Sequence, residues 1–223
     1  MNIQSLKMKL AERTCDVRFR LIQWLSPSIW NRSQNVVEPD HWNLFHNQVP
    51  RASTLYAESF FKGRTVSCAE LGVALADNAA SILSLLNVQH LYLIDPYDTF
   101  LINYKWKPKI MPLQLQQKRL LIAQRKLKRW TSKCTWLNMP SRKAVVRIPD
   151  NSLDFIYIDG DHSYQGFFED LALYFQKMRK NSIIAGHDFT GDWLEPVRAV
   201  LDFSKEHNLE LLTRQADWWM VKN

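Results

Sequence analysis

Cysteine is scarce in this chain, and its placement excludes more than it suggests. Cys15, Cys68 and Cys134 lie far apart with no CxxC pair, so neither a zinc site nor a disulfide framework is expected. A reducing, cytoplasmic setting is the expectation that follows. Cys68 sits in an apolar run and reads as a small core residue rather than a nucleophile. Long hydrophobic runs are also missing: nothing approaches the roughly 18 consecutive apolar residues of a membrane span. The first 25 residues break their apolar positions with charge too often for a secretory leader. There is no internal repeat and no low-complexity tract, and 46% hydrophobic content excludes wholesale disorder. What remains is a chain of 223 residues, enough for one α/β core with a short appendage.

Acidic residues are absent from Thr99 to Pro149, where thirteen basic residues run from Lys105 to Arg147. Outside that stretch 16 basic residues face 22 acidic ones, so one segment carries the whole excess behind the net charge of +7. Clustered positive charge of this kind suits polyanions, phosphorylated substrates or acidic membrane surfaces. A nucleic-acid or anionic-glycan binding module using segment 105–147 is therefore one reading of the chain. The other is a solvated helix face, KRLLIAQRKLKRW, with Leu120, Leu121, Leu127 and Trp130 turned inward.

Residues 1–50 read as an N-terminal extension: a helix through Leu25, a break at Ser26-Pro27, then turn-rich polar sequence. Leu21, Ile22, Trp24 and Leu25, with Arg18 and Arg20 nearby, suit an interfacial helix or packing on the domain or a second subunit of a homo-oligomer. From Thr65 short apolar runs alternate with longer amphipathic ones, the pattern of a parallel sheet with crossover helices. Strands are expected at TVSCAEL, HLYLID, CTWLNM, LDFIYID and SIIAGHD. Helices are expected over Asp77–Leu86, Met111–Trp130, Gln165–Arg179 and Leu194–His207, with a short turn near Ser141–Val146. The end, LELLTRQADWWMVKN, splits into two β-prone halves too close for a crossover, so they pair antiparallel or belong to different places. The class is α/β, a mostly parallel, Rossmann-like sheet with helices on both faces.

In such sheets ligands gather beyond the carboxyl ends of the strands. The first expected strand ends Glu70-Leu71-Gly72, and the loop runs through Ala76 to Asn78. Gly72 is its one glycine, a poor match to the GxGxxG dinucleotide pattern that disfavours a nicotinamide oxidoreductase. Glu70 closes a buried strand and needs a cation or donor to offset its burial. Asp95 ends the second strand 23 positions after Gly72, where a carboxylate can take both hydroxyls of a ribose. The fourth strand delivers Asp159-Gly160-Asp161-His162 and the fifth His187-Asp188. Crowded carboxylates repel unless a cation lies between them, so magnesium, calcium or, with imidazole present, manganese or zinc would suit this pocket. Alternatively Asp161 caps the following helix and the histidines are satisfied by backbone.

The segments AELGVALADNAASIL, LYLIDPY, YIDGDHSYQGFFEDLALYFQKMRKNSIIAGHDF, EPVRAVLDF and WWMVKN resemble the small O-methyltransferase group that includes the macrocin and mycinamicin enzymes. The resemblance spans about residues 53–223 and is sharpest at IDGDHSY and AGHDF. It implies a class I methyltransferase fold of seven strands over 51–223, with an antiparallel C-terminal hairpin. It also implies S-adenosyl-L-methionine as methyl donor and, often, a divalent metal that activates a sugar or small-molecule hydroxyl. Carried over by position, Glu70 and Gly72 would hold the methionine end of the donor, with Ala76 and Asn78 in the same donor-binding loop, Asp95 would bind its ribose, and Ser141 lies where the family approaches the adenine. Asp159 adjoins the donor and, with Asp188, would be a metal ligand, and His187 is counted with the metal site as the residue near it. Asp161 is the base the resemblance implies, while His162 and His187 are further candidates because imidazole suits general-base work near neutral pH. Two positions depart from the family pattern: Ala76 stands where a second glycine is usual, and His187 where metal-dependent relatives carry another acid.

Overall fold

The computed structural model describes residues 49–104 and 107–223, with backbone alone for 100–104 and 107–110. The expected N-terminal helix, its Ser-Pro break and Cys15 lie outside the described residues. Seven strands form one sheet: β1 (Val66–Leu71), β2 (Val88–Ile94), β5 (Cys134–Leu137), β6 (Leu153–Ile158), β7 (Met178–Gly186), β8 (Leu212–Arg214) and β9 (Asp217–Lys222). Their order is β5-β2-β1-β6-β7-β9-β8. The first five pair in parallel, while β9 runs antiparallel to both β7 and β8. The Rossmann-like sheet and its C-terminal hairpin are as the sequence leads one to expect. Strand order reverses between β1 and β6, and the crevice there is where ligands collect in open α/β sheets.

Alternation along each strand builds two cores. Val66, Cys68, Phe155, Tyr157, Ile183, Ala185 and Trp219 face one side, covered by α1 (Ala52–Phe61), α2 (Asp77–Leu85) and part of α3 (Leu113–Lys126). Leu71, Ile156, Ile158, Ile184, Trp218 and Met220 face the other, under α4 (Ser141–Ala144), α5 (Tyr164–Phe175) and α6 (Leu194–Glu206). Cys68 is fully buried in the first core, and burial pushes its thiol well above the ordinary value, as suits a packing residue.

Some elements differ from the sequence expectation. The two-stranded ribbon β3 (Phe100–Tyr104) and β4 (Lys107–Met111) was not expected; Pro108 sits in it at an edge position, where a missing N–H is harmless. The helix expected over Met111–Trp130 starts at Leu113, after Pro112, and ends at Lys126 before a 3-10 turn over Lys128–Lys133. The helix expected to reach Arg179 stops at Phe175, because β7 begins at Met178 and pairs it with Leu153. Helix α1, just inside the expected domain start at 51, also went unread: its face carries small and polar residues, and tertiary contacts rather than periodicity hold it.

Candidate functional site

Strand parity determines which side chains meet. Glu70, Asp159, His187 and Asp217 continue the rows that pack against α1, because side chains two apart on a strand share a face. Antiparallel register places Ala185 beside Trp219 and Gly186 beside Trp218, so the next pair is His187 with Asp217. His187 Nδ1 lies 2.9 Å from Asp217 Oδ1. Asp217 also accepts from the Tyr157 hydroxyl at 3.1 Å and from the Ser53 amide and hydroxyl at 3.1 and 2.6 Å. With its Nδ1 proton on Asp217, His187 offers Nε2 as acceptor to Arg51, whose Nη1 is 3.0 Å away. The Arg51 guanidinium also reaches to 4.0 Å from Asp159 Oδ2. Burial works against this guanidinium, but the charges of Tyr157, Asp159, Asp217 and Asp188 outweigh it and raise its pKa. Arg51 thus supplies positive charge to the carboxylate pocket from within the chain.

The first turn of α1 also braces the β1 loop. Thr54 Oγ1 donates to Asn78 Oδ1 at 3.3 Å, and Asn78 Nδ2 donates to Glu70 Oε1 at 3.2 Å. Glu70 is 2% exposed, and its Oε2 has no hydrogen-bond partner. Burial is the main reason its pKa rises to about 8, opposed by the Asn78 hydrogen bond and Arg51 and assisted by Asp159 and Asp95. A buried carboxyl with one oxygen unanswered lacks a polar partner among the described residues.

Gly72 has φ +83°, and a methyl built on it would come within 1.8 Å of the Asp159 carbonyl oxygen. The β1 loop and the β6 loop therefore touch backbone to backbone here. Ala74 and Ala76 have φ of +50° and +59°, in the left-handed region that costs a non-glycine residue about 1–2 kcal/mol. Ala76 is the N-cap of α2 and not part of its helical run. The loop stands because Asp95 braces it: its Oδ2 accepts from the Ala74 amide and its Oδ1 from the Tyr97 amide, both at 2.9 Å. The Tyr97 hydroxyl donates to the Ala74 carbonyl at 2.9 Å.

At the ends of β6 and β7 the structure brings together Asp159, His162 and Asp188, with one ligand atom from each within 4.8 Å of the others. His162 Nε2 lies 2.5 Å from Asp188 Oδ2 and 3.8 Å from Asp159 Oδ1. Burial opposes the His162 imidazolium, but the hydrogen bond to Asp188 and the charges of Asp188, Asp159 and Asp161 outweigh it, so its pKa is raised. Asp188 has φ +61°, a turn that carries its side chain to His162 rather than along the strand row. Two carboxylates and an imidazole are a donor set that fits a divalent cation of borderline softness. His187 hydrogen-bonds into the Arg51–Asp217 network, and its Nε2 lies 3.9 Å from Asp188 Oδ1 at the edge of this trio.

Asp161 is exposed and turns to the start of α5: its Oδ1 accepts from the Ser163 amide at 2.8 Å, and Ser163 Oγ accepts from the Gly166 amide at 3.1 Å. Ser141 opens α4, with its carbonyl taken by the Tyr174 hydroxyl at 3.0 Å. Its side chain bonds to Asp170, a buried carboxyl pushed up to about 7, first by burial, with Asp161 and Glu169 adding to the rise. Because that folded-state pKa lies above the unfolded value, stability is lost as pH rises from about 4 towards 7. Asp170→Asn is expected to flatten this part of the stability curve, raising Tm above the parent at pH 8 with little change at pH 5. Equal slopes for both proteins would remove Asp170 as the cause.

Sequence reasoning missed Arg51, Asp217, Asp170 and Trp193, whose ring lies 4.4 Å from that of His162, centroid to centroid. Only Asp217 left a signal, as the lone acid opening a buried WWM run.

A family model described as a methyltransferase domain matches residues 63–189, more than half of the chain. No curated protein sequence matches it. Among solved structures, the O-methyltransferase NovP superposes with a TM-score of 0.55 at 13% identity, over 77% of this chain and 78% of that one. Cofactor-bound Rv0187 from MTB gives 0.57 at 12%, over 80% and 84%. Precorrin-6y C5,15-methyltransferase from Geobacter metallireducens GS-15 gives 0.53 at 14%, over 76% and 87%. These likenesses concern the fold, and the family match agrees with them: the chain belongs to the methyltransferase domain family.

Proposed function

We propose that this chain is an S-adenosyl-L-methionine-dependent methyltransferase that methylates a hydroxyl of a sugar or small molecule. The observation that supports it is the buried Glu70 Oε2, unanswered beside a loop that approaches the β6 end backbone to backbone. When bound, the donor supplies an electrophilic methyl group on a sulfonium. Glu70 would hold its ammonium, the Gly72–Asn78 loop its methionine end, Asp95 its ribose and the Ser141 segment its adenine. In-line displacement gains most from alignment, which the doubly braced loop favours.

An acceptor hydroxyl must lose its proton, and in this reading His162 accepts it. Asp188 orients the ring and offsets the imidazolium charge, while Arg51 offsets Asp159. Asp161 and His187 then serve as a helix-start brace and a positioning residue respectively. The second reading is that Asp159, His162 and Asp188 hold a divalent cation, which when bound lowers the hydroxyl pKa; their mutual spacing favours it. The domain of 51–223 is consistent with α1 reaching the site through Arg51, Ser53 and Thr54.

The test is methyl transfer from labelled donor to glycan and metabolite pools, with and without chelator. Activity that survives chelation selects the histidine route, and activity abolished by it selects the cation. No transfer to any pool despite donor binding would overturn hydroxyl methylation of these classes. With an acceptor in hand, His162→Asn is expected to lower kcat about 10²–10⁴-fold with donor affinity unchanged. Unaltered turnover would remove His162 from the chemistry.

A further inference from the structure

We propose that the outward face of α3 is an interfacial docking surface for an anionic lipid membrane. The inward face is short and clear: Gln116 and Ala123 are buried, as is Leu127 just beyond the helix, and Leu120 packs partly against the core. Opposite it, Leu115, Lys118, Ile122 and Arg125 follow one another at steps of three and four. Leu121 lies beside them. Leu115, Leu121 and Ile122 are 40%, 53% and 47% exposed, and Leu113 at the helix start is 44% exposed. Leu121, expected from sequence to face inward, is instead the most exposed of the four.

The charge on this face is equally one-sided. No acidic residue occurs between Thr99 and Pro149. On the flanks Lys126 pairs with Asp77, and Arg129 stacks on Trp130 with its guanidinium carbon 3.8 Å from the ring centroid. Among the described residues, Lys118, Arg125 and Lys128 have no carboxylate partner.

Interleaved aliphatic and basic side chains favour one kind of occupant. A nucleic acid would be met by aromatic platforms and polar donors, and its phosphates gain nothing from leucine and isoleucine. A second copy would set like charge against like charge. At an anionic lipid surface both classes are satisfied: the aliphatic groups enter the acyl boundary while lysine and arginine reach back to the phosphates. No described helix is long and apolar enough to cross a membrane, so attachment through this face is peripheral. The inference does not depend on the methyl-transfer reading.

Sedimentation of the full chain with vesicles tests it, using phosphatidylcholine alone and an equal mixture of phosphatidylcholine and phosphatidylglycerol. Binding to the mixed vesicles is expected to exceed binding to the neutral ones by at least about tenfold. Leu121→Asn with Ile122→Asn, which keeps every charge, is expected to lower it by about tenfold, as is Lys118→Gln with Arg125→Gln. All four positions lie on the outer face, and an unchanged Tm verifies that both double variants fold. Equal binding to the two vesicle types, or full binding by the aliphatic double variant, overturns the proposal. So does capture of a duplex oligonucleotide with the aliphatic residues irrelevant, or a dimer in solution that the aliphatic variant dissolves.

Discussion

Glu70→Gln is expected to weaken donor binding by about 100-fold while making the protein harder to unfold above pH 8. Removing one member of a buried charge pair costs about 2–5 kcal/mol, and each 1.4 kcal/mol is about tenfold in affinity. The stability effect has the opposite sign. Burial lifts the folded-state pKa of Glu70 from an ordinary 4.5 to about 8. Between those values the folded protein keeps a proton that the unfolded chain has released, so stability falls as pH rises through the window. Glutamine carries no such proton and removes the slope. Donor binding to the parent should therefore strengthen as pH approaches 8, because ionised Glu70 pairs with the ammonium, and should release a proton below that. Calorimetry in buffers of different ionisation enthalpy, with thermal melts from pH 5 to 9, measures both. Donor affinity of the variant within threefold of the parent would end the assignment of Glu70 to the donor.

Gly72→Ala has the largest expected effect on folding. The added methyl would lie 1.8 Å from the Asp159 carbonyl oxygen and 2.5 Å from its carbon, both backbone atoms at the centre of the sheet. Relief would require parting β1 from β6, whose register runs from Cys68–Phe155 to Leu71–Ile158. We expect a loss of about 3–5 kcal/mol, in the range of severe core disruption, which is a Tm fall on the order of 10 °C for a chain of this size. Gly63→Ala is the control: its φ is +78°, yet nothing lies within 4 Å of the added carbon. It should cost only the left-handed backbone term, about 1–2 kcal/mol. Equal losses for the two variants would show that backbone strain, not collision, governs Gly72.

How much of the site could be read beforehand differs from residue to residue. The places of Glu70, Asp95, Asp159 and Asp188 at strand ends were legible because each closes an apolar run, and a strand that must bury both faces announces its own carboxyl end. The place of His187 at a strand end was legible, but not its direction, which depends on pairing with Asp217 across an antiparallel register. Asp161 and His162 are adjacent in the chain yet part company: one turns to the Ser163 amide and the other to Asp188. Arg51 gave no sign at all, since its importance lies in being packed against residues more than a hundred positions away.

Local order along the chain is enough to establish the α/β class, the strand ends and the chemistry of the groups placed there, because alternation and chain punctuation are properties of neighbours. Which of those groups face one another, that α1 supplies a guanidinium to the carboxylates, and that Leu121 and Ile122 of α3 face outward were decided by tertiary packing alone. Those outcomes depend on contacts between distant segments. A hydrophobic period says that a helix has an inner face, but only the surface it meets determines how wide that face is.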